Sequence, residues 1–412
     1  MIENAKKNVL LYVILFVGLL LRLTTAIYFP LTFRFRSDAV RYVLIAKNIL
    51  NFHTFGVKPN LPIYTTPPGY PLFLAGVFSI TGQKLMAVRI VQVIMGTLMI
   101  YLVYLIGKKI WNRRVGLVAA FILSFYPVWI IWPSLFLTET LFTLLLLLFV
   151  FFFIRYLKNK SGSDAALAGF SFSLSLLVRE TPLLILPALP LVLLWARVSW
   201  KRLLVFLGIF TVILGIVITP WMFRNYEDFG EMFYTKRTRL SRYFHHVSKT
   251  GVSVKHHKSP YIPATTPENL KVKGPAFYAY YGTPKDMYSM SRILSDPGLF
   301  LIRILRRLKR IWLHPKGLDS VPDKWNLREI YILFNAVILF LAVLGLIVGF
   351  RKRTKKGFEV IVATIFCVTI TVLIFTIPHP RYVLPIQPLI FVLTAIGLEI
   401  FSRIFGIMKK KF

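Results

Sequence analysis

Asp38 and Glu139 are the two acids whose surroundings could do chemistry. A carboxylate held beside a hydroxyl can take its proton as the oxygen attacks an electrophile. Asp38 lies a few residues past the first long apolar run, inside RFRSDAVRYVLIAKNI, where Arg34, Arg36 and Arg41 would keep it ionised. The same carboxylate also serves as a helix N-cap, worth about 1 kcal/mol, and the local sequence leaves the two roles level. Glu139 sits in WPSLFLTETLF, ahead of a run from Leu141 to Phe153 with almost no polar atom. An acid in a first helical turn favours the positive end of the helix dipole. An acid at the mouth of so apolar a segment is also a functional candidate by default.

Two arginines could meet an anion near these acids. Arg179, beside Glu180 in LLVRETPLL, either snorkels to a membrane interface or clamps a phosphate with its planar fork. The run IPHPRYVLPIQP, residues 377–388, raises the same choice for His379 and Arg381, with Tyr382 beside them. Its prolines impose irregular backbone, which at membrane depth is tolerated where it lines a cavity. His245-His246 and His256-His257 suggest a metal at first glance. Adjacent histidines do not readily share one face and no acid stands at helical spacing, so no metal site is expected there.

The elements that must position these residues are membrane helices. A mean hydropathy of +0.66 and 56% hydrophobic residues exclude a soluble domain. Apolar stretches start near Val9, Met86, Val115, Leu135, Ala165, Leu183, Leu203, Ile330, Phe358 and Tyr382. A span needs about 20 such residues, and its backbone must bond internally, so the chain is expected to be an all-α, polytopic helical bundle of about ten spans. The first is read as a retained span, since no small-x-small cleavage site follows it. The short gaps KKIWNRR, RYLKNKSGSD, ARVSWKR and RKRTKKG are basic and are expected in the cytoplasm, with both termini. Asp38, Glu139, Arg179-Glu180 and His379–Arg381 fall on the opposite, extracytoplasmic face. A net charge of +35 suggests nucleic acid in a soluble protein, but here the basic residues bracket spans. Anionic membrane lipids and lipid-linked phosphates are the expected partners, and nucleic acid is not. The single Cys367 lies in an apolar run and supports neither a disulfide nor a thiol metal site.

Three units follow: a core over residues 1–221 with an outer loop at 30–84, a long outer loop at 222–328, and three closing spans over 329–412. In the first loop, Ala39 to Leu50 has helical spacing after an N-cap at Ser37 or Asp38, and Leu72 to Ile80 is a second apolar stretch. Two amphipathic helices lying on the membrane surface fit. In the long loop, residues 297–313 (PGLFLIRILRRLKRIWL) are expected to form a basic interfacial helix.

Several motifs, taken in order, resemble a known family: Asp38 to Ile49, TTPPGYPLFLAGVF (65–78), RIVQVIMGTL (89–98), LTETLF (137–142), AGFSFSLSLLVRETPLL (168–184) and PRYVLPIQP (380–388). Together they look like the GT-C integral membrane glycosyltransferases, nearest the ArnT-like and protein O-mannosyltransferase-like branch. The resemblance covers roughly the first 200 residues and the last spans; residues 222–328 match nothing in it. It implies an inverting transfer of sugar from a polyprenyl-phosphate donor to a glycan, lipid or protein acceptor, at the extracytoplasmic face. Asp38 and Glu139 match its catalytic acids. Arg179, Arg381 and Arg41 are the expected donor-phosphate contacts of this chain, and Tyr70, Glu180, His379 and Tyr382 its expected substrate lining. No metal is demanded, although Glu139 and a histidine could hold one. The chain departs from ArnT-like proteins at Thr66-Pro67-Pro68, where those often carry Lys-Pro-Pro, so a phosphate-binding lysine is missing.

Two other classes compete. A transporter or flippase for a lipid-linked anion would use the same arginines, but such proteins place broken, polar helices at the midplane within repeated halves. A non-catalytic subunit of an envelope-polysaccharide complex would have no need of the two carboxylates.

Overall fold

The computed structural model describes residues 2–28, 37–234, 295–313, 327–351, 357–376, 379–404 and 406. Fourteen α-helices lie in that set: α1 Ile2–Tyr28, α2 Ser37–Phe52, α3 Gly69–Thr81, α4 Leu85–Ile110, α5 Arg113–Phe125, α6 Pro127–Ile131, α7 Glu139–Asn159, α8 Gly162–Val178, α9 Ile185–Trp195, α10 Trp200–Phe229, α11 Pro297–Leu313, α12 Leu327–Arg351, α13 Phe358–Phe375 and α14 Gln387–Ile404. Short 3-10 turns at Trp132–Ser134, Thr181–Leu184, Pro380–Tyr382 and Leu384–Ile386 join them, and no strand occurs among the described residues.

Seven of these helices are long and apolar enough to cross a bilayer, and the bent pair α5–α6 makes eight. The expected ten included the stretches from Ala165 and Leu183, which fold as the 17-residue α8 and the 11-residue α9. At 1.5 Å per residue α9 is about 16 Å long, well short of a span of about 30 Å. Pro182 holds the chain in a 3-10 turn before it, and Pro190 stands inside it.

The helix expected from Val115 is bent by 67° at Tyr126-Pro127. Proline has no N–H to give Leu123, four residues back, and it pushes the residue before it into an extended conformation. Arg22 of α1 replaces the missing donor: its Nη2 donates to Leu123 O at 2.9 Å and its Nη1 to Gly18 O at 2.8 Å. This buried arginine therefore serves the backbone and needs no carboxylate.

Two helices lie at the centre. The span windows of α7 and α14 are 78% and 83% buried, against 17% for α10 and 28% for α1 and α12. The closest approach is between α12 and α14, where a Cβ on Gly397 would stand 1.9 Å from Leu341 O and one on Gly345 2.0 Å from Leu393 O. Small residues at membrane helix crossings allow such contact.

Acids also occur at the end of the bundle away from Glu139. Asp164 pairs with Arg155 at 3.0 Å, and Glu399 accepts from Asn112 Nδ2 at 2.9 Å and pairs with Arg403. Asn112 also caps α5 by accepting from Val115 N at 2.9 Å. Those acids tie helix ends together, and Glu399 adds one that the charge pattern of the loops did not reveal.

Candidate active site

The central helices set the site. Glu139 opens α7, following Thr138, and its side chain is only 1% exposed. Arg179 ends α8, its backbone turning from helical to extended, so its side chain reaches back to Glu139. Arg381 stands in the Pro380–Tyr382 turn just before α14. Within that turn His379 Nδ1 accepts from Arg381 N at 3.2 Å, which fixes the backbone that carries the guanidinium. Asp38 lies in the first turn of α2, whose Ala39, Tyr42, Val43 and Ala46 are buried against the bundle. Gly69 lets α3 approach α8: a Cβ there would be 2.8 Å from Leu177 C.

These placements join residues far apart in sequence into one charged cluster. Arg381 Nη2 donates to Asp38 Oδ2 at 2.7 Å, and Arg381 Nε lies 3.8 Å from Glu139 Oε1. Arg179 Nη1 donates to the same Glu139 oxygen at 2.9 Å and lies 3.2 Å from Thr138 Oγ1. Arg41 adds a looser pair with Asp38 Oδ1 at 3.7 Å. The guanidinium carbons of Arg179 and Arg381 lie 5.1 and 5.2 Å from the centre of the Tyr382 ring, within cation–π range. Burial acts to lower the pKa of Arg381, but Tyr382, Glu139 and Asp38 outweigh it and hold the group above its ordinary value. Arg381 is therefore a permanent cation.

Stability alone is a poor reason for this arrangement. Burying a carboxylate costs several kcal/mol, and apolar side chains of similar size often serve a core as well or better. Glu139 Oε2 is buried without a hydrogen-bond partner among the described residues. Arg179 and Arg381 stand at the wall of a pocket that Tyr42, Pro67, Thr138, Glu180 and Tyr382 also help to line, while Asp38 and Glu139 sit behind these arginines and are not among its lining residues. A larger cleft of about 820 Å³ lies alongside, lined by Pro68 and Leu177, the chain neighbours of Pro67 and Val178 in the first pocket.

Asp38, Glu139, Arg41, Arg179 and Arg381 are thus brought together, and Glu180 and Tyr382 line the pocket. Tyr70 lies behind the wall rather than on it. It is fully buried, its hydroxyl donates to Gln92 Oε1 at 2.9 Å, and its ring meets Tyr42 edge-on at 5.2 Å. His379 shapes the arginine turn. Arg34, Arg36 and the two histidine pairs lie outside the described residues. Sequence reasoning missed Tyr42 and Thr138. Tyr42 was findable, being four residues after Asp38 and hence on the same helical face. Thr138 carried no signal beyond its place before Glu139.

The helices are those of a polytopic membrane protein, and the likeness to two solved structures shows the GT-C fold. The archaeal oligosaccharyltransferase AglB from Archaeoglobus fulgidus, in complex with an inhibitory peptide and a dolichol-phosphate, matches over 99% of this chain and 53% of its own, at 16% identity and a TM-score of 0.55. ArnT from Cupriavidus metallidurans, bound to undecaprenyl phosphate, matches over 96% of this chain and 62% of its own, at 14% identity and a TM-score of 0.55. The chain thus spans about half the length of the former and under two thirds of the latter. Residues 65–223 match the model of the dolichyl-phosphate-mannose-protein mannosyltransferase family. No curated protein matches the chain.

Proposed function

We propose that this protein is a glycosyltransferase that moves a sugar from a polyprenyl-phosphate donor to a glycan, lipid or protein acceptor at the extracytoplasmic face. The observation that carries this reading is the Arg381 guanidinium, which engages Asp38 at 2.7 Å and approaches Glu139 at 3.8 Å beside a pocket. The fold likeness to proteins holding dolichol-phosphate and undecaprenyl phosphate supports the donor class.

Asp38 is the base in this reading, because its side chain is 20% exposed and an acceptor can reach it, whereas Glu139 at 1% is sealed. The acceptor hydroxyl gives its proton to Asp38 while its oxygen bonds to the anomeric carbon. The bond from that carbon to the phosphate oxygen breaks, and its electron pair leaves with the phosphate. A phosphodiester with one negative charge becomes a phosphomonoester approaching two. Preorganised cations aimed at that growing charge stabilise the transition state. Arg179 and Arg381 supply them, and Glu139 holds both in place. Each carboxylate already faces a guanidinium, so the reading uses no metal.

Titration of the full chain in nanodiscs with undecaprenyl phosphate, in EDTA, tests the binding half. Wild type should bind, and Arg179→Ala and Arg381→Ala should each bind about tenfold more weakly or worse, for loss of a charge-assisted contact of about 1.5–3 kcal/mol. Equal binding by all three proteins would overturn the phosphate site. A panel of polyprenyl-phosphate monosaccharides then tests transfer; no loss of any sugar from its carrier, with membrane lipids and peptides supplied as acceptors, would count against the enzyme.

A further inference from the structure

The basic helix α11 carries one arginine that its amphipathic pattern does not explain. Arg307 is fully buried, although Arg303, Arg306, Lys309 and Arg310 around it are not. Its Nη1 donates to Leu373 O at 2.6 Å and to Thr376 O at 3.1 Å. Leu373 lies in the last turn of α13, whose final four carbonyls lack intrahelical donors, and Thr376 is the residue that follows the helix. The Thr376 hydroxyl serves one of them, donating to Val372 O at 2.8 Å, and Arg307 serves the next. Thr376 itself is extended, at φ −122° and ψ 173°, and three residues on stands His379, the start of the turn that holds Arg381. The α11 helix also packs directly on that Pro380–Tyr382 turn. Ile304, Leu308 and Ile311 seat it in the apolar core beside Arg307, while Leu301, Ile302 and Leu305 remain exposed.

We propose that Arg307 is a positioning residue for Arg381: by pinning the end of α13 to α11, it sets where the Pro380–Tyr382 turn presents the guanidinium that joins Asp38 to Glu139. The strut is a charge with two fixed carbonyl contacts, so it resists displacement better than apolar packing of the same helix. Burial lowers the Arg307 pKa to about 10, which leaves it cationic at neutral pH. The consequence is that α11, from a segment of the chain outside the central bundle, governs the geometry of the donor-phosphate site. This inference rests on the reading of Arg381 as a phosphate contact.

A double-mutant cycle tests it, using the affinity of the nanodisc-embedded full chain for undecaprenyl phosphate. The proteins are wild type, Arg307→Ala, Arg381→Lys and the double variant. Arg307→Ala should weaken binding by about tenfold, and so should Arg381→Lys, since lysine does not reproduce the fork. The double variant should be no weaker than about threefold below the poorer single, because residues acting through one another are not additive. Arg307→Met, which keeps the apolar stem but donates to neither carbonyl, should weaken binding as Arg307→Ala does, and it answers if Arg307→Ala does not fold. Multiplicative losses in the double variant would mean that Arg307 acts on stability alone and would overturn the proposal. So would unchanged binding in both Arg307 variants while Arg381→Lys is impaired. Wild-type binding by Arg381→Lys, in contrast, would sink the reading of the site itself.

Discussion

Arg381 holds the two carboxylates in one electrostatic unit, and they are not equivalent within it. Asp38 is reachable, with Arg381 on Oδ2 and Arg41 more loosely on Oδ1, whereas Glu139 is sealed and shared between Arg179 and Arg381. The two should therefore fail differently. Asp38→Asn keeps the size, and its amide oxygen can still accept from Arg381, so folding and undecaprenyl phosphate binding should hold. The amide cannot accept a proton, and transfer should fall by a factor on the order of 100, as measured by sugar released from the lipid carrier. Glu139→Ala should instead lose both folding and binding. Breaking a buried pair costs about 3–5 kcal/mol, because the cation that remains is uncompensated. A melting curve of Glu139→Ala matching wild type would show that Arg179 and Arg381 do not depend on it. Full transfer by well-folded Asp38→Asn would move the base elsewhere.

At the scale of elements, the site depends on how tightly α14 is held. Arg381 enters from the turn that precedes α14, and α14 touches α12 at Gly345 and Gly397. A methyl at Gly397 has backbone as its nearest neighbour, at 1.9 Å, so the helices must part. Overpacking of this kind costs about 1–3 kcal/mol or more. Gly397→Ala should lower the melting temperature and, by moving the start of α14, also weaken undecaprenyl phosphate binding. Gly76→Ala in α3, where a Cβ would meet nothing within 4 Å, is the matched control and should change neither. Equal melting temperatures for the two variants would show that the α12–α14 contact yields at no cost.

At the scale of the molecule, the charged cluster lies at one end of the bundle and the Asn112–Glu399 and Arg155–Asp164 pairs at the other. The basic loops predict that the cluster faces outward, since short cytoplasmic loops carry the excess of lysine and arginine. The sole cysteine, Cys367, is buried, so the native chain offers little background to a thiol reagent. An impermeant maleimide applied to whole cells should label Asn60→Cys and spare Lys201→Cys, two exposed positions at opposite ends. The reverse pattern would put the acids inside and remove the extracytoplasmic reading.

The residues of the charged cluster were legible in the sequence wherever their oddity was local. Asp38, Glu139, Arg179 and Arg381 stand out because a charge at the end of an apolar run costs free energy that neighbours in the chain do not repay. The helices α2 and α11 were legible for the same reason, since 3.6-residue periodicity is a property of adjacent residues, and α3 was legible as an apolar run. The breaks were less so: Pro127 bends a span that composition alone would run straight, and whether a helix recovers after a proline depends on a donor such as Arg22 from elsewhere. Only the tertiary structure could pair Arg381 with Asp38, 343 residues apart, turn Tyr70 behind the pocket wall and bury Arg307 against the end of α13. Each of these depends on where packing sets one backbone against another. A side chain's own neighbours decide whether it can carry charge at the membrane, but the packing of α7 against the Leu384–Ile386 turn ahead of α14 decides which charge it meets.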